Sequence, residues 1–211
     1  MKLYEFAPTR SIRARWILQE LGIDFEAVSV DLPARQHHGA EFLEINPAGK
    51  VPVLVDGDLV LSESVAIVLY LAEKYPDRGL IPADPELRAD TYRWILFTVT
   101  ELEQPLWRIS KHTAIFPEEQ RIPADVYLAH REFRPMAAVL EKHMEGRAYV
   151  VGDRLSAADF IVAYTLDWAD LVDLLGDCPN LRSYLERMYA RPRAPQRIAE
   201  AFRSLQSAAA A

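Results

Sequence analysis

The sequence predicts an α/β domain followed by an all-helical domain. Strand-like and helix-like segments alternate over residues 1–75, and strand signals disappear beyond a stretch rich in proline, aspartate and glycine. With 211 residues, half of them apolar, the chain is long enough to bury a substantial core. We therefore expect an α/β plus all-α fold, with domains at residues 1–76 and 86–211 and a linker at 77–85.

The first 30 residues have the pattern of a βαβ unit. Residues 2–6 are β-prone, residues 10–21 carry apolar side chains at helical spacing, and Gly22 follows as a helix stop. Residues 25–30 alternate apolar and polar side chains, which is typical of a second strand. Such a unit normally forms a parallel strand pair with a right-handed crossover.

A hairpin and a helix come next. Residues 53–55 and 59–61 flank Asp56-Gly57-Asp58, and Asp-Gly is a strong signal for a tight turn between antiparallel strands. A short helical turn at 41–45 precedes the hairpin, and residues 65–75 follow it with helical spacing. The predicted order is therefore βαβ, then ββα.

Apolar stripes of helical period fill the remaining chain. One runs through residues 87–106 and another through 126–144. Because proline lacks an N–H and clashes with the preceding turn, Pro105 and Pro135 are expected to kink or end these helices.

A capping box marks the start of a later helix. Ser156 and Asp159 have the required spacing, and the nearly all-apolar run 160–166 follows them, which predicts a buried central helix. Amphipathic segments at 181–189 and 194–205 complete the helical domain.

The composition argues against several classes of function. The 24 basic and 31 acidic side chains give a net charge of −7, which disfavours nucleic acid or anionic lipid as the main partner. Cys178 is the single cysteine, as is typical of a reducing cytoplasm. No apolar run approaches the ~20 residues of a membrane span, and the N-terminus lacks a signal-peptide pattern. We therefore expect a cytoplasmic protein. The five histidines lack metal-ligand spacing, so we expect no bound metal.

Pro52 stands at the start of an otherwise strand-like run. Proline has no N–H for a strand ladder, so it must lie at a strand start or edge. If the Val51–Pro52 peptide bond is cis, the backbone of Val51 turns outward and its N–H and C=O are open to a partner. The alternative is an ordinary edge strand that begins at Pro52.

Polar residues stand at two predicted helix starts. Ser64 lies in a first helical turn, where free N–H groups favour a carboxylate, and Glu63 beside it can accept an ammonium group. Thr9, Arg10 and Ser11 lie in the loop before the first helix, where a hydroxyl donor and the helix dipole favour a thiolate over a thiol. Ordinary helix capping is the alternative for both groups.

Together these motifs resemble the glutathione S-transferase superfamily, of the bacterial type that uses serine or threonine. The βαβ-ββα order with "VP" before the hairpin and "ES" after it is similar to the thioredoxin-like domain of that family. The segment "GDRLSAADFIVAYTL" is similar to the capping-box motif of its helical domain. The resemblance covers the whole chain, and it implies a glutathione-binding domain followed by a domain that carries the electrophile pocket.

The resemblance also implies which residues bind glutathione. The backbone of Val51, before a cis Pro52, would pair with the cysteinyl part, and Glu63 and Ser64 would hold the γ-glutamyl head. His37 and Lys50 would approach the glycyl carboxylate, a placement that their charge makes sensible. His38 is the less favoured neighbour of His37, and a solvated loop is the alternative for this segment.

The residue that activates the sulfur has two candidates. Members of the family use Tyr, Ser, Thr or Cys near this point, but Tyr4 lies inside the strand and Arg10 occupies the position of the cysteine variants. Counting back from Arg13 as the helix arginine of the family favours Thr9, whereas counting from the helix start favours Ser11. Both stay open, with Ser11 preferred.

The resemblance therefore predicts a glutathione transferase that presents the glutathione thiolate to a hydrophobic electrophile in a cleft between the domains. Trp107, His112 and Phe116 are candidate pocket residues, although an aromatic residue on an amphipathic helix is more often part of the core. A homodimer is also implied. The alternatives are a glutathione-dependent peroxidase or thiol-disulfide oxidoreductase, a dehalogenase, and a non-catalytic protein of the same fold that binds a partner.

Overall fold

The computed structural model describes residues 1–209 and divides into two compact units. Unit 1 consists of Met1–Ile81 together with the segment that begins at Tyr189, and unit 2 consists of Pro82–Met188. The α/β plus all-α architecture predicted from the sequence is confirmed. The segment from Tyr189 was expected in the helical domain, and the structure groups it with the α/β unit instead.

Unit 1 is built on a four-stranded mixed sheet with the order β2-β1-β3-β4. Its strands are β1 (Lys2–Glu5), β2 (Glu26–Ser29), β3 (Val53–Asp56) and β4 (Leu59–Ser62). β1 and β2 are parallel, whereas β3 is antiparallel to both β1 and β4. Gly57 makes the tight turn between β3 and β4 with a φ of 60°, a conformation that favours glycine.

Unit 1 also contains four α-helices within residues 1–209. They are α1 (Ser11–Leu21), α2 (Ala40–Ile45), α3 (Ser64–Lys74) and α9 (Ile198–Ala209). α1 and α3 pack together and bury a shared apolar core that includes Trp16, Ile17, Ile67 and Leu71. A second apolar cluster, on Phe42 of α2, contains Val30 and Val53 and is bordered by Tyr4 and Val51.

The strand register brings three chain segments to one edge of the sheet. Tyr4 near the end of β1 pairs with Val53 at the start of β3, and Val53 also pairs with Ser62 at the end of β4. The loop after β1, the turn before β3 and the start of α3 therefore leave the sheet side by side. All the candidate glutathione residues of the hairpin and of the first loop belong to these segments.

The segment from Tyr189 joins unit 1 through contacts with α1. The ring centroids of Trp16 and Tyr189 are 4.8 Å apart. Arg191 forms an ion pair with Glu20, with Nε 3.4 Å from Oε2, and Arg193 Nη1 donates to the Glu20 carbonyl at 3.0 Å. The last carbonyls of a helix have no intrahelical donor, so Arg193 satisfies one of them. These contacts explain why a late segment belongs to the first unit.

Unit 2 contains α4 (Pro85–Phe97), α5 (Glu103–Ser110), α6 (Pro123–His143), α7 (Ala157–Leu171) and α8 (Pro179–Tyr189). The predicted capping box is present at the start of α7, where Ser156 and Asp159 each bond the other's backbone. α7 is buried from Ala157 to Ala169, as expected of a central helix. Over residues 1–209, no helix is both long enough and apolar enough to cross a membrane.

The two internal prolines differ in their effect. A wider π-helical turn, Thr98–Leu102, separates α4 from α5, and Pro105 is the third residue of α5. Pro105 has no N–H to donate to the carbonyl four residues before it, so the regular helix is interrupted just ahead of it. Pro135, in contrast, lies inside α6 and does not end that helix.

Candidate active site at the edge of the sheet

Two hydroxyl groups meet in the loop between β1 and α1. Ser11 is the first residue of α1, and its Oγ lies 2.9 Å from Thr9 Oγ1. The Phe6 N–H donates to Ser11 Oγ at 3.2 Å, and the Thr9 hydroxyl donates to the Phe6 carbonyl. Ser11 is 1% exposed, whereas Thr9 is half-buried. The N-cap residue is Arg10, whose side chain forms no capping hydrogen bond, and the Ser11 N–H donates to Thr9 Oγ1 at 3.3 Å, so Thr9 takes part in capping α1.

An ion pair joins the strand before this loop to the helix after it. Glu5 is the last residue of β1 and is buried, and its Oε2 accepts from Arg15 Nε on α1 at 2.9 Å. The Arg15 guanidinium also lies over the Phe25 ring, 5.4 Å from its centroid. Because this pair attaches α1 to the strand, it sets where the positive end of the α1 dipole lies relative to the hydroxyl groups.

The start of α3 has the features of a site for an amino-acid head group. Glu63 is exposed and has φ 70° and ψ 112°, a conformation that costs about 1–3 kcal/mol for a residue with a side chain. Ser64 is the first residue of α3 and is buried, and no side chain caps this helix. The first N–H groups of α3 and the exposed Glu63 carboxylate can therefore bind a carboxylate and an ammonium group side by side.

A buried arginine connects α1 with this second part of the site. Arg13 is 1% exposed, and its Nη1 donates to Ser64 Oγ at 3.3 Å. The bond uses a lone pair of the Ser64 oxygen and leaves the hydroxyl proton of Ser64 for another acceptor. This contact joins residues 51 positions apart, and no pattern in the sequence predicts it. The one indication in the sequence that Arg13 is buried is its place on the helix face that also carries the buried Trp16 and Ile17.

Val51 and Pro52 lie between these two groups. Their peptide bond is cis, as the family resemblance implied. Pro52 is buried and Val51 is half-buried against the cluster of Val30, Phe42 and Val53. The ladders of β3 with both neighbours begin at Val53, so the backbone of Val51 precedes them.

A histidine pair lies against the segment that leads to Val51. His37 is half-buried in a 3₁₀ turn, and its ring centroid is 4.0 Å from that of His38. A Cβ on Gly49 would lie 3.0 Å from the His37 carbonyl oxygen, so the backbone can pass this close to His37 only with glycine at position 49. The exposed Lys50 follows directly. Burial lowers the pKa of His37, and His38 and Arg35 lower it further. His37 is thus neutral at pH 7 without a ligand.

His112 and Phe116, predicted for the electrophile pocket, are in contact in unit 2. Their rings meet edge to face with centroids 5.3 Å apart. His112 Nδ1 accepts the Ile122 N–H at 3.2 Å, and its Nε2 lies 3.3 Å from Asp125 Oδ2. Both ring nitrogens are therefore engaged with α6 and the turn before it, so His112 offers a ligand the ring rather than a polar atom.

Trp107, the third predicted pocket residue, belongs to an aromatic cluster of α5 and α7. It is half-buried, and its ring centroid lies 6.3 Å from that of Trp168. Trp168 Nε1 donates to Ser110 Oγ at 3.1 Å, and the Tyr164 ring centroid lies 6.4 Å from the Trp168 ring. Such a cluster can bind a flat apolar molecule against an aromatic face.

Comparisons with known proteins agree with the resemblance found in the sequence. The glutathione S-transferase N-terminal domain matches residues 1–73, and the glutathione S-transferase C-terminal domain matches residues 103–187. Glutathione S-transferase 1 from Dianthus caryophyllus is 38% identical over 168 residues, 77% of this chain and 74% of that protein. Glutathione S-transferase GstA from Escherichia coli O157:H7 is 33% identical over 199 residues, 91% of this chain and 94% of that protein.

A solved structure is similar over the same range. The glutathione transferase from Burkholderia graminis has two glutathione molecules bound per protein subunit. It is 25% identical to this chain, with a TM-score of 0.80 and coverage of 92% of this chain and 85% of that one.

Proposed function

Since the chain belongs to the glutathione S-transferase superfamily and is an enzyme of that family, we propose that it binds glutathione in unit 1, stabilises the glutathione thiolate and transfers it to a hydrophobic electrophile. The observation that carries this proposal is that a hydroxyl pair and an uncapped helix start leave one edge of the sheet side by side. The glutathione bound to the Burkholderia graminis relative supports glutathione as the co-substrate.

The γ-glutamyl head of glutathione would bind at the start of α3. Its α-carboxylate would accept the Ser64 hydroxyl proton and the first N–H groups of α3, and Glu63 would accept its ammonium group. Arg13 supports this assignment because it donates to the Ser64 oxygen and adds positive charge beneath the carboxylate.

The remainder of the tripeptide would lie along the turn before β3. The N–H and C=O of Val51, next to Pro52, would pair with the cysteinyl backbone as an added strand. His37 and Lys50 would attract the glycyl carboxylate, and the Gly49 turn that holds them together supports this placement. The cysteinyl sulfur would then face Thr9, Arg10 and Ser11.

Thiolate stabilisation at this place is sufficient in magnitude. Lowering a thiol pKa from ~8.5 to ~6.5 takes roughly 2.7 kcal/mol in favour of the charged form. A hydrogen bond from a hydroxyl group to the sulfur anion contributes ~1.5–3 kcal/mol, and the start of α1 contributes ~0.3–1 kcal/mol. In the reaction the thiol proton goes to solvent, and the thiolate forms a C–S bond while the leaving group departs with its electron pair.

The electrophile would bind in unit 2, on aromatic side chains. The half-buried Trp107 supports a flat apolar substrate because it is braced by Trp168. His112 and Phe116 would add a second apolar surface through their rings. We also propose that the protein is cytoplasmic and acts as a homodimer, which sedimentation velocity at micromolar concentration tests.

The decisive experiment combines three measurements on the full-length protein. Calorimetry measures binding of reduced glutathione, absorbance near 240 nm follows the bound thiol as pH rises, and product formation is measured with an aryl halide and with an organic hydroperoxide. We expect binding, a lowered thiol pKa and conjugation of the aryl halide. Absence of binding contradicts the whole proposal. Binding with an unchanged thiol pKa favours a non-catalytic role, and turnover of the hydroperoxide alone favours a peroxidase.

A further inference from the structure

The directions of the hydrogen bonds around Thr9 follow from the number of protons. A hydroxyl group has a single proton, and that of Thr9 is donated to the Phe6 carbonyl. In the 2.9 Å contact between the two hydroxyl oxygens, Ser11 must therefore be the donor. Ser11 Oγ in turn accepts the Phe6 N–H at 3.2 Å. The hydrogen bonds are thus donated in one direction, from Ser11 to Thr9 and from Thr9 to the Phe6 carbonyl.

The two hydroxyl groups also differ in access to a ligand. Ser11 is 1% exposed, and its oxygen already accepts the Phe6 N–H while its proton is donated to Thr9, so it has no proton left for a sulfur atom. Thr9 is half-buried, and the carbonyl that accepts its proton also accepts the Thr9 N–H at 3.0 Å. The Thr9 hydroxyl can therefore turn toward a ligand while the Phe6 carbonyl keeps a donor.

From this geometry, and resting on the function proposed above, we propose that Thr9 is the catalytic residue that donates to the glutathione thiolate and that Ser11 is a positioning residue that donates to the Thr9 oxygen. The Thr9 oxygen accepts from the Ser11 hydroxyl at 2.9 Å and from the Ser11 N–H at 3.3 Å, and both bonds persist when the Thr9 proton turns from the Phe6 carbonyl to the sulfur. A hydroxyl group that accepts such a bond is also a stronger donor, since hydrogen bonds in a chain polarise one another. Thr9 keeps its proton throughout, so no covalent bond of the enzyme changes.

The test compares Thr9→Val, Thr9→Ser and Ser11→Ala in the full-length protein, saturated with reduced glutathione. Thiolate absorbance near 240 nm gives the pKa of the bound thiol. Thr9→Val is expected to raise this pKa by about one unit or more. At a pH below the wild-type pKa, the thiolate fraction then falls about tenfold or more. Thr9→Ser restores most of the wild-type value. Ser11→Ala lowers the fraction by about two- to fourfold, and adding it to Thr9→Val changes nothing further.

Matched controls remove the same groups elsewhere. Thr100→Val deletes an exposed threonine hydroxyl that donates to a helix carbonyl in unit 2, and Ser183→Ala deletes an exposed serine hydroxyl. Neither is expected to change the thiol pKa. If circular dichroism shows that Thr9→Val is misfolded, Thr9→Ala replaces it. An equal or larger loss for Ser11→Ala than for Thr9→Val overturns the assignment. A wild-type protein that binds glutathione without lowering its thiol pKa contradicts the proposed function instead.

Discussion

At the scale of single residues, buried partners decide which polar atoms of the candidate site remain available. The Ser64 oxygen accepts a hydrogen bond from Arg13, and the Ser11 hydroxyl donates its proton to the Thr9 oxygen. The residue types at these positions were apparent from the sequence, because Ser and Thr at helix starts are a local pattern. The partner of Ser64 was not apparent from the sequence, since Arg13 lies 51 residues earlier in the chain.

Ser64 gives the first prediction. Ser64→Ala removes a hydroxyl donor to a carboxylate, a hydrogen bond that contributes ~1.5–3 kcal/mol, so the Kd for glutathione should rise about ten- to hundredfold by calorimetry. Ser62→Ala, at the end of β4 and half-exposed, is the matched control and should bind as the wild type does. Equal affinities of the Ser64→Ala and wild-type proteins would contradict the role of Ser64.

His37 gives the second prediction, on pH. Burial, His38 and Arg35 lower its pKa below the ordinary 6.5, so the free protein holds His37 neutral above that pH. A bound carboxylate favours the protonated ring, so glutathione binding takes up a proton. Affinity should therefore rise as pH falls below about 6.5. The lowered thiol pKa proposed above makes binding release a proton at pH values above about 6.5, so the effect of His37 is measured below that pH, where the bound thiol stays protonated and the glutathione carboxylates stay charged.

The corresponding measurement is calorimetry between pH 5 and pH 8 on wild type, His37→Gln and His38→Gln. His37→Gln should remove most of the rise in affinity at low pH, whereas the exposed His38 should matter less. A rise that survives in His37→Gln would assign the proton uptake to another group.

At the scale of secondary-structure elements, α7 depends on one buried carboxylate. Asp159 Oδ1 accepts from Val150 N–H and from Tyr184 Oη, and Oδ2 accepts from Ser156 N–H and Oγ, each at 2.8–2.9 Å. Burial raises the pKa of Asp159, and these four donors oppose that rise. The capping box was predicted from the spacing of Ser156 and Asp159, because both of its partners are local.

Asp159→Asn is the third prediction. The amide replaces one acceptor oxygen by a donor that faces other donors, so buried groups lose their partners. We expect a loss of about 2–4 kcal/mol in the free energy of unfolding, measured by urea denaturation. Asp153→Asn, on a side chain that is 94% exposed, should change it by less than about 0.5 kcal/mol. A similar small change for Asp159→Asn would contradict the importance of this capping box.

At the scale of the whole molecule, an early and a late segment of the chain meet in unit 1. The bond between Arg191 and Glu20 spans 171 residues, which is why no local pattern indicated it and the sequence placed this segment with the helical domain. The order of strands and helices, in contrast, follows from periodicity, turn residues and caps within short windows. The sequence thus predicted the elements and missed a contact between distant parts of the chain.

The Arg191–Glu20 pair gives the fourth prediction. Its side chains are 25% and 16% exposed, so a double-mutant cycle with Arg191→Met and Glu20→Gln should give a coupling of about 0.5–1 kcal/mol. Native-state hydrogen exchange of the α1 amides measures this coupling free energy within unit 1. The control cycle uses Lys2 and Glu26, whose side chains are 51% and 59% exposed, and should give almost none. A coupling no larger than that control would contradict the prediction.

The contact between α1 and the segment from Tyr189 has a consequence for synthesis on the ribosome. Translation adds about 5–20 residues per second, so roughly 5–20 s pass between Ile81 and Tyr189. During that interval the nascent first unit lacks the residues that hold the last turn of α1. Emergence of the segment that begins at Tyr189, rather than of the first 81 residues, is therefore the step that completes this unit.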